Sequence, residues 1–128
     1  MDNFVPFINR EQCCKIWLCD IMYIMQEGRM TNIVTEKETF CSYKKIKSFE
    51  QYLDMDGRFY YCLKSIVINF QQVSVMKDQT IYFKNGDKIS LGRQNYVRTK
   101  QAFAAYLLQQ KQAGKKEKNP CNFNSFIV

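Results

Sequence analysis

The four residues Gly92-Arg93-Gln94-Asn95 concentrate groups suited to recognising a ligand. They fall between an alternating segment, Asp87 to Leu91, and a segment of helical period that begins at Tyr96. A guanidinium held at such a corner can give two parallel hydrogen bonds to the N7 and O6 edge of guanine. That contact is worth about 1–3 kcal/mol of discrimination between bases. Gln94 and Asn95 can serve either phosphate oxygens or adenine edges. Gly92 lets the backbone approach a phosphate closely, and the helix start beyond it offers unpaired N–H groups and a positive dipole end. Taken alone, an arginine at a helix start is also an ordinary surface residue, and Asn95 equally suits a helix cap.

Other chemistries have little to stand on. The chain of 128 residues contains no histidine, which removes Ser-His-Asp and Cys-His pairs. No glycine-rich phosphate loop follows a strand. Asp54 and Asp56 share a turn, where carboxylates usually cap or stay solvated. Six cysteines (Cys13, Cys14, Cys19, Cys41, Cys62 and Cys121) lack Cys-x-x-Cys pairing, so reduced, mostly buried thiols are expected rather than a metal site. No enzyme activity, metal or small-molecule cofactor is expected.

The net charge of +7 lies in the second half. Residues 1–50 carry seven basic and seven acidic side chains, whereas residues 51–128 carry twelve against five. A polyanionic partner follows, either nucleic acid or an anionic membrane surface. The N-terminus lacks the layout of a signal peptide and no apolar run reaches the roughly 18 residues of a spanning helix, so a cytoplasmic protein is expected.

The elements that must hold the corner are mostly strands. Aromatic and branched runs at 4–8, 15–19, 21–25, 30–35, 39–43, 59–63, 65–70, 73–76, 80–83 and 88–91 are broken by polar turns. Gly28 suits a tight reversal at 27–29, and residues 36–38 make a second turn. Asn85-Gly86 is the strongest hairpin signal, suited to a two-residue turn with positive φ. Ile46, Phe49 and Leu53 form one stripe of a short helix with Ser42 as its cap. Tyr96, Val97, Phe103, Ala104, Leu107 and Leu108 predict the buried face of a terminal helix that runs to about Gln110. One domain over residues 1–110 and a basic, flexible tail over 111–128 are expected.

Three segments in this order resemble the LytTR family of bacterial DNA-binding domains. They are DIMYIMQEGRMTNIVT (20–35), RFYYCLKSIVINF (58–70) and NGDKISLGRQNYVRTKQAF (85–103), with SYKKIKSFEQYL (42–53) similar to the family's short helix. The resemblance covers about residues 14–108. It implies a mostly-β protein: an elongated LytTR-type β–β–β arrangement of small antiparallel sheets with one short helix and a C-terminal helix. It further implies a transcription regulator that binds double-stranded DNA, two copies on paired promoter repeats, with loops in successive major grooves. By resemblance the DNA contacts fall on Arg29, Thr31 and Asn32, on Lys64 and Ser65, and on Arg93. The family's Ser-Arg-Arg stands here as Gly92-Arg93-Gln94, and its His-Arg before the serine as Leu63-Lys64. A stand-alone member without a receiver domain is expected, activated by a partner protein, oligomerisation or abundance.

Several charges have a plainer reading. Lys44, Lys45 and Lys47 suit the wet face of the short helix, and Lys115, Lys116 and Lys118 a solvated tail. Arg29 and Lys64 suit phosphates better than bases. Trp17, Tyr60 and Tyr61 are expected as core or interface aromatics. The apolar terminus FNSFIV keeps a second reading open, in which the same fold binds a regulator or membrane inhibitor instead of DNA.

Overall fold

A computed structural model describes residues 3–55 and 57–113. The basic tail beyond 113, with Cys121 and the FNSFIV segment, lies outside the described residues, as does Asp56.

Ten strands form three antiparallel sheets. Strands β1 (Phe4–Ile8) and β2 (Cys13–Trp17) make a two-stranded sheet. Strands β3 (Ile21–Glu27), β4 (Met30–Thr35), β5 (Thr39–Ser42), β6 (Phe59–Leu63) and β7 (Ile66–Asn69) make a five-stranded sheet in the order β5-β4-β3-β7-β6. Strands β8 (Val73–Lys77), β9 (Thr80–Phe83) and β10 (Lys88–Ser90) make a three-stranded sheet, followed by helix α1 (Arg93–Ala113). This is the mostly-β arrangement of small sheets expected from the sequence.

The five-stranded sheet is covered on both faces. Ile24, Ile33 and Val67 look toward β1, β2 and the 3-10 helix Ile46–Tyr52, joining Val5, Phe7, Ile16 and Phe49 in one core. Ile66 and Ile68 look the other way, into a second core built by Val73, Ile81, Phe83, Ile89 and the α1 residues Tyr96 and Phe103. That explains why all four β7 residues, Ile-Val-Ile-Asn, are buried, where a half-exposed strand would alternate. Strand β4, between β3 and β5, does alternate, with Thr31, Ile33 and Thr35 buried between half-buried neighbours.

One polar side chain ties the layers together. Asn69, fully buried at the end of β7, donates from Nδ2 to the carbonyls of Leu18 (3.2 Å) and Ile21 (2.8 Å). Its Oδ1 accepts from the N–H of Gln71 at 2.9 Å. The expected strand 15–19 ends at Trp17 because residues Leu18–Asp20 turn as a 3-10 helix, and Asn69 holds that turn.

Four further expectations are corrected. The Asn85-Gly86 hairpin is not a two-residue turn: Phe83 N–H bonds Asp87 O at 2.9 Å across a three-residue loop, and Gly86 alone takes positive φ (98°). The two-residue turn falls instead on Asp78-Gln79, with φ of 54° and 57°, between Lys77 and Thr80. Both are turns compatible with strand twist, and the asparagine side chain caps its own loop by accepting from Asp87 N at 3.0 Å. Ser42 does not cap the short helix; Lys45 holds that position without a side-chain bond, and Ser42 Oγ accepts from Lys44 N at 3.0 Å.

The cysteines are not mostly buried: only Cys62 is, among the described residues. Cys13, Cys14 and Cys41 lie on edge strands β2 and β5, and Cys19 in the turn between β2 and β3. Burial pushes the Cys62 thiol up to about 12, as expected of a structural cysteine.

The buried face of α1 is also different. Tyr96, Thr99 and Phe103 are buried with Ala102 and Tyr106 half-buried, while Val97, Leu107 and Leu108 are exposed. Both stripes have helical spacing, and the aromatic one wins because Phe70 receives it. The Phe70 ring lies 5.4 Å from Phe103, 5.5 Å from Tyr106 and 5.5 Å from Tyr60. Rings bury far more area than Ala104 and add favourable ring geometry.

A further link joins the large sheet to the Asn85-Gly86 loop. Tyr23 Oη donates to Asp87 Oδ2 at 3.0 Å. Its phenol is pushed from 10.0 up to about 12, first by burial, then by the bond to Asp87 and the charges of Asp87 and Glu27. The folded-state value lies above the unfolded one, so this contribution is complete below pH 10 and lost as pH rises toward 12. Tyr23→Phe is therefore expected to lower stability by about 0.5–1 kcal/mol at neutral pH. Urea titrations should show the gap between the two proteins closing at high pH.

Candidate nucleic-acid interface

Antiparallel register gathers three connections at one end of the five-stranded sheet. Strands β3 and β4 close at Glu27↔Met30 around Gly28-Arg29, where Gly28 takes φ of 62°. A glycine at the first central position lets a two-residue hairpin follow the strand twist. Strand β7 starts beside the end of β3 (Met25↔Ile66), so the Lys64-Ser65 turn from β6 arrives there too. Strand β5 ends beside the start of β4 (Thr31↔Ser42), so Tyr43, Lys44 and Lys45 leave from the same end.

Gln26 joins all three. Its backbone N–H donates to Ser65 O at 2.8 Å, its Nε2 donates to Gly28 O at 3.3 Å, and its Oε1 accepts from Ile46 N at 2.9 Å. Nothing in the sequence marks Gln26, because the strand pattern gives it no role and its partners are 20 and 39 positions away or local backbone. The exposed charges of this end are Arg29, Lys44, Lys45 and Lys64 against Glu27. The opposite end, with Asp20, Glu36, Lys37, Glu38 and the Asp54–Arg58 ion pair (3.2 Å), carries more acidic than basic groups.

The residues singled out by sequence separate into different roles. Arg29 and Lys64 are exposed on their turns. Ser65 is half-buried and its carbonyl holds Gln26. Thr31 is fully buried, and its hydroxyl donates to Lys44 O at 2.6 Å, so its side chain fixes the neighbouring loop instead of facing solvent. Asn32 is half-buried on the opposite face of β4, with its Oδ1 shielded and without a hydrogen-bond partner among the described residues. The cause of the split is strand alternation: Ile33 and Thr35 share the inward face with Thr31.

Arg93, Gln94 and Asn95 form a separate group where β10 runs into α1. Tyr96 N–H bonds Gly92 O at 2.9 Å, which makes Gly92 the residue before the first helical turn and places Asn95 inside it. Asn95 is therefore not the cap; its Oδ1 accepts from Arg98 Nη2. The corner is anchored from both sides. Leu91 N–H bonds Gln79 O at 2.9 Å, Gln79 Nε2 returns to Leu91 O at 3.3 Å, and the side chains of Leu91 and Tyr96 are buried. Arg93 and Gln94 stay exposed, lining an open depression with Val97 and Arg98.

Small antiparallel sheets, a terminal helix and exposed basic turns define a class, and the solved structures contain it. The chain is similar to the LytTr DNA-binding domain of a Bacillus cereus protein described as a methyl-accepting/DNA response regulator. The match has a TM-score of 0.63 at 17% identity and covers 81% of this chain and 98% of that one. The family model for the LytTr DNA-binding domain matches residues 11–104, and the chain belongs to that family. It is a DNA-binding family and not an enzyme family. No curated protein matches the sequence. No helix among the described residues is long and apolar enough to cross a membrane.

Proposed function

We propose that this chain binds double-stranded DNA sequence-specifically and acts as a transcription regulator, with two copies seated on paired promoter repeats. Family membership together with the Arg93 corner carries the reading. An exposed arginine is held there between a buried leucine and a buried tyrosine, as base recognition in a major groove requires. Arg29 and Lys64 supply phosphate contacts from the sheet's basic end, and Gln94 serves a phosphate or an adenine edge. Ser65 ties the Lys64 turn to Gln26, and Thr31 fixes the adjoining loop at Lys44. Asn95 steadies Arg98 on the first helical turn.

The test is a fluorescence anisotropy titration with duplexes selected from a random pool. The expected result is binding to the selected duplex at least 1000-fold tighter than to a scrambled duplex of equal length, the usual range for specific recognition being about 10³–10⁷. Equal affinity for both would overturn sequence-specific recognition.

A second reading rests on the exposed α1 stripe of Val97, Leu107 and Leu108. It suits a regulatory protein partner, in line with a fold kept for protein interaction. Leu107→Asp separates the two, since it disables partner binding and leaves duplex affinity unchanged.

A further inference from the structure

We propose that the loop Tyr43-Lys44-Lys45 is a third DNA-backbone contact, in which the two ammonium groups and the tyrosine hydroxyl take consecutive phosphates of one strand. The inference rests on the duplex-binding reading above and deepens it. By sequence these lysines suit the wet face of a short helix, yet the 3-10 helix starts only at Ile46 and both lysines precede it.

Four observations point the same way. The loop is pinned from three sides: Thr31 Oγ1 donates to Lys44 O at 2.6 Å, Ser42 Oγ accepts from Lys44 N at 3.0 Å, and Gln26 Oε1 accepts from Ile46 N at 2.9 Å. A solvated connection has no need of a fully buried hydroxyl to fix one carbonyl. Tyr43 is 80% exposed, the most exposed large apolar side chain among the described residues. A phenol has an apolar ring for deoxyribose and a hydroxyl for phosphate, so its exposure suits a wet, charged partner. Strand register sets the loop beside the Arg29 turn, on the sheet end that also bears Lys64. The opposite end of the same sheet is net acidic, which orients the domain on a polyanion.

Because phosphate contacts are sequence-independent, their signature is the salt dependence of binding. Lys44→Ala and Lys45→Ala are each expected to reduce the slope of log K against log salt by about 0.9. Affinity should fall on the order of five- to tenfold at 0.1 M salt for the selected and scrambled duplexes alike. The ratio between the two duplexes stays at its wild-type value, and Tyr43→Phe weakens both by a few fold. Lys37→Ala, which removes the same charge from the acidic end, leaves the slope unchanged.

Both lysines are exposed, and unchanged circular dichroism and urea midpoints verify the fold. Unaltered slopes in Lys44→Ala and Lys45→Ala, with the wild type binding the selected duplex, would overturn the loop contact alone. Equal effects in Lys37→Ala would overturn it too, as a net-charge effect. A wild type that binds no duplex overturns the DNA reading itself.

Discussion

Arg93→Ala should weaken binding to the preferred duplex by about 1–3 kcal/mol, roughly 5- to 150-fold, and flatten the preference among sites. The size follows from how the side chain is held. Its backbone is fixed on one side by the paired Leu91–Gln79 bonds and on the other by Tyr96, whose N–H closes on Gly92 O. In the proposed complex the guanidinium would reach a base edge with little left to immobilise except its own rotamers. Removing it would then lose a bidentate contact and leave guanine acceptors without donors.

The companion Arg93→Lys should recover salt dependence but not site preference, because an ammonium offers a point charge in place of a planar fork. Arg93 is exposed, so the unfolding free energy from urea titration should move by no more than about 0.5 kcal/mol. Anisotropy titrations on selected and scrambled duplexes decide the matter. An unchanged ratio between them would reduce Arg93 to a phosphate contact.

Asn69→Ala should do the converse, lowering stability by about 2–4 kcal/mol while leaving the binding surface chemically intact. Three backbone groups depend on this one amide: the carbonyls of Leu18 and Ile21 and the N–H of Gln71. Each lost bond costs about 1 kcal/mol, and burial adds the penalty of leaving its partner unsatisfied. Asn69→Asp should be worse, since a buried carboxylate would face two carbonyl oxygens. Urea unfolding measures both effects. At low temperature, the folded fraction of Asn69→Ala should bind the duplex with wild-type affinity, which separates a scaffold role from a binding one.

These two residues also show how far the sequence could be read. Arg93 is legible because a local change of period marks the corner and chemistry marks the side chain. Asn69 lies within a segment that resembles the family, yet its work is invisible there: the two carbonyls it holds are 48 and 51 positions away. Thr31 and Asn32 show a similar limit. Alternation says they face opposite ways, and only packing says that Thr31 faces in. The α1 stripe fails for a related reason. Two apolar faces overlap on one helix, and Phe70, some thirty positions upstream, selects between them.

The sequence by itself determined the elements and the class of partner. Alternating runs bounded by Gly, Asn and Asp place strands and turns because side-chain direction has a period of two. The basic excess of the second half sets the sign of the partner. The tertiary structure alone decided which turns meet. Arg29, Lys44 and Lys64 come to one end of a sheet because β7 inserts between β3 and β6, and β5 pairs along β4. Strand order and register arise from burying both faces of β7 at once, a long-range requirement that no local pattern encodes.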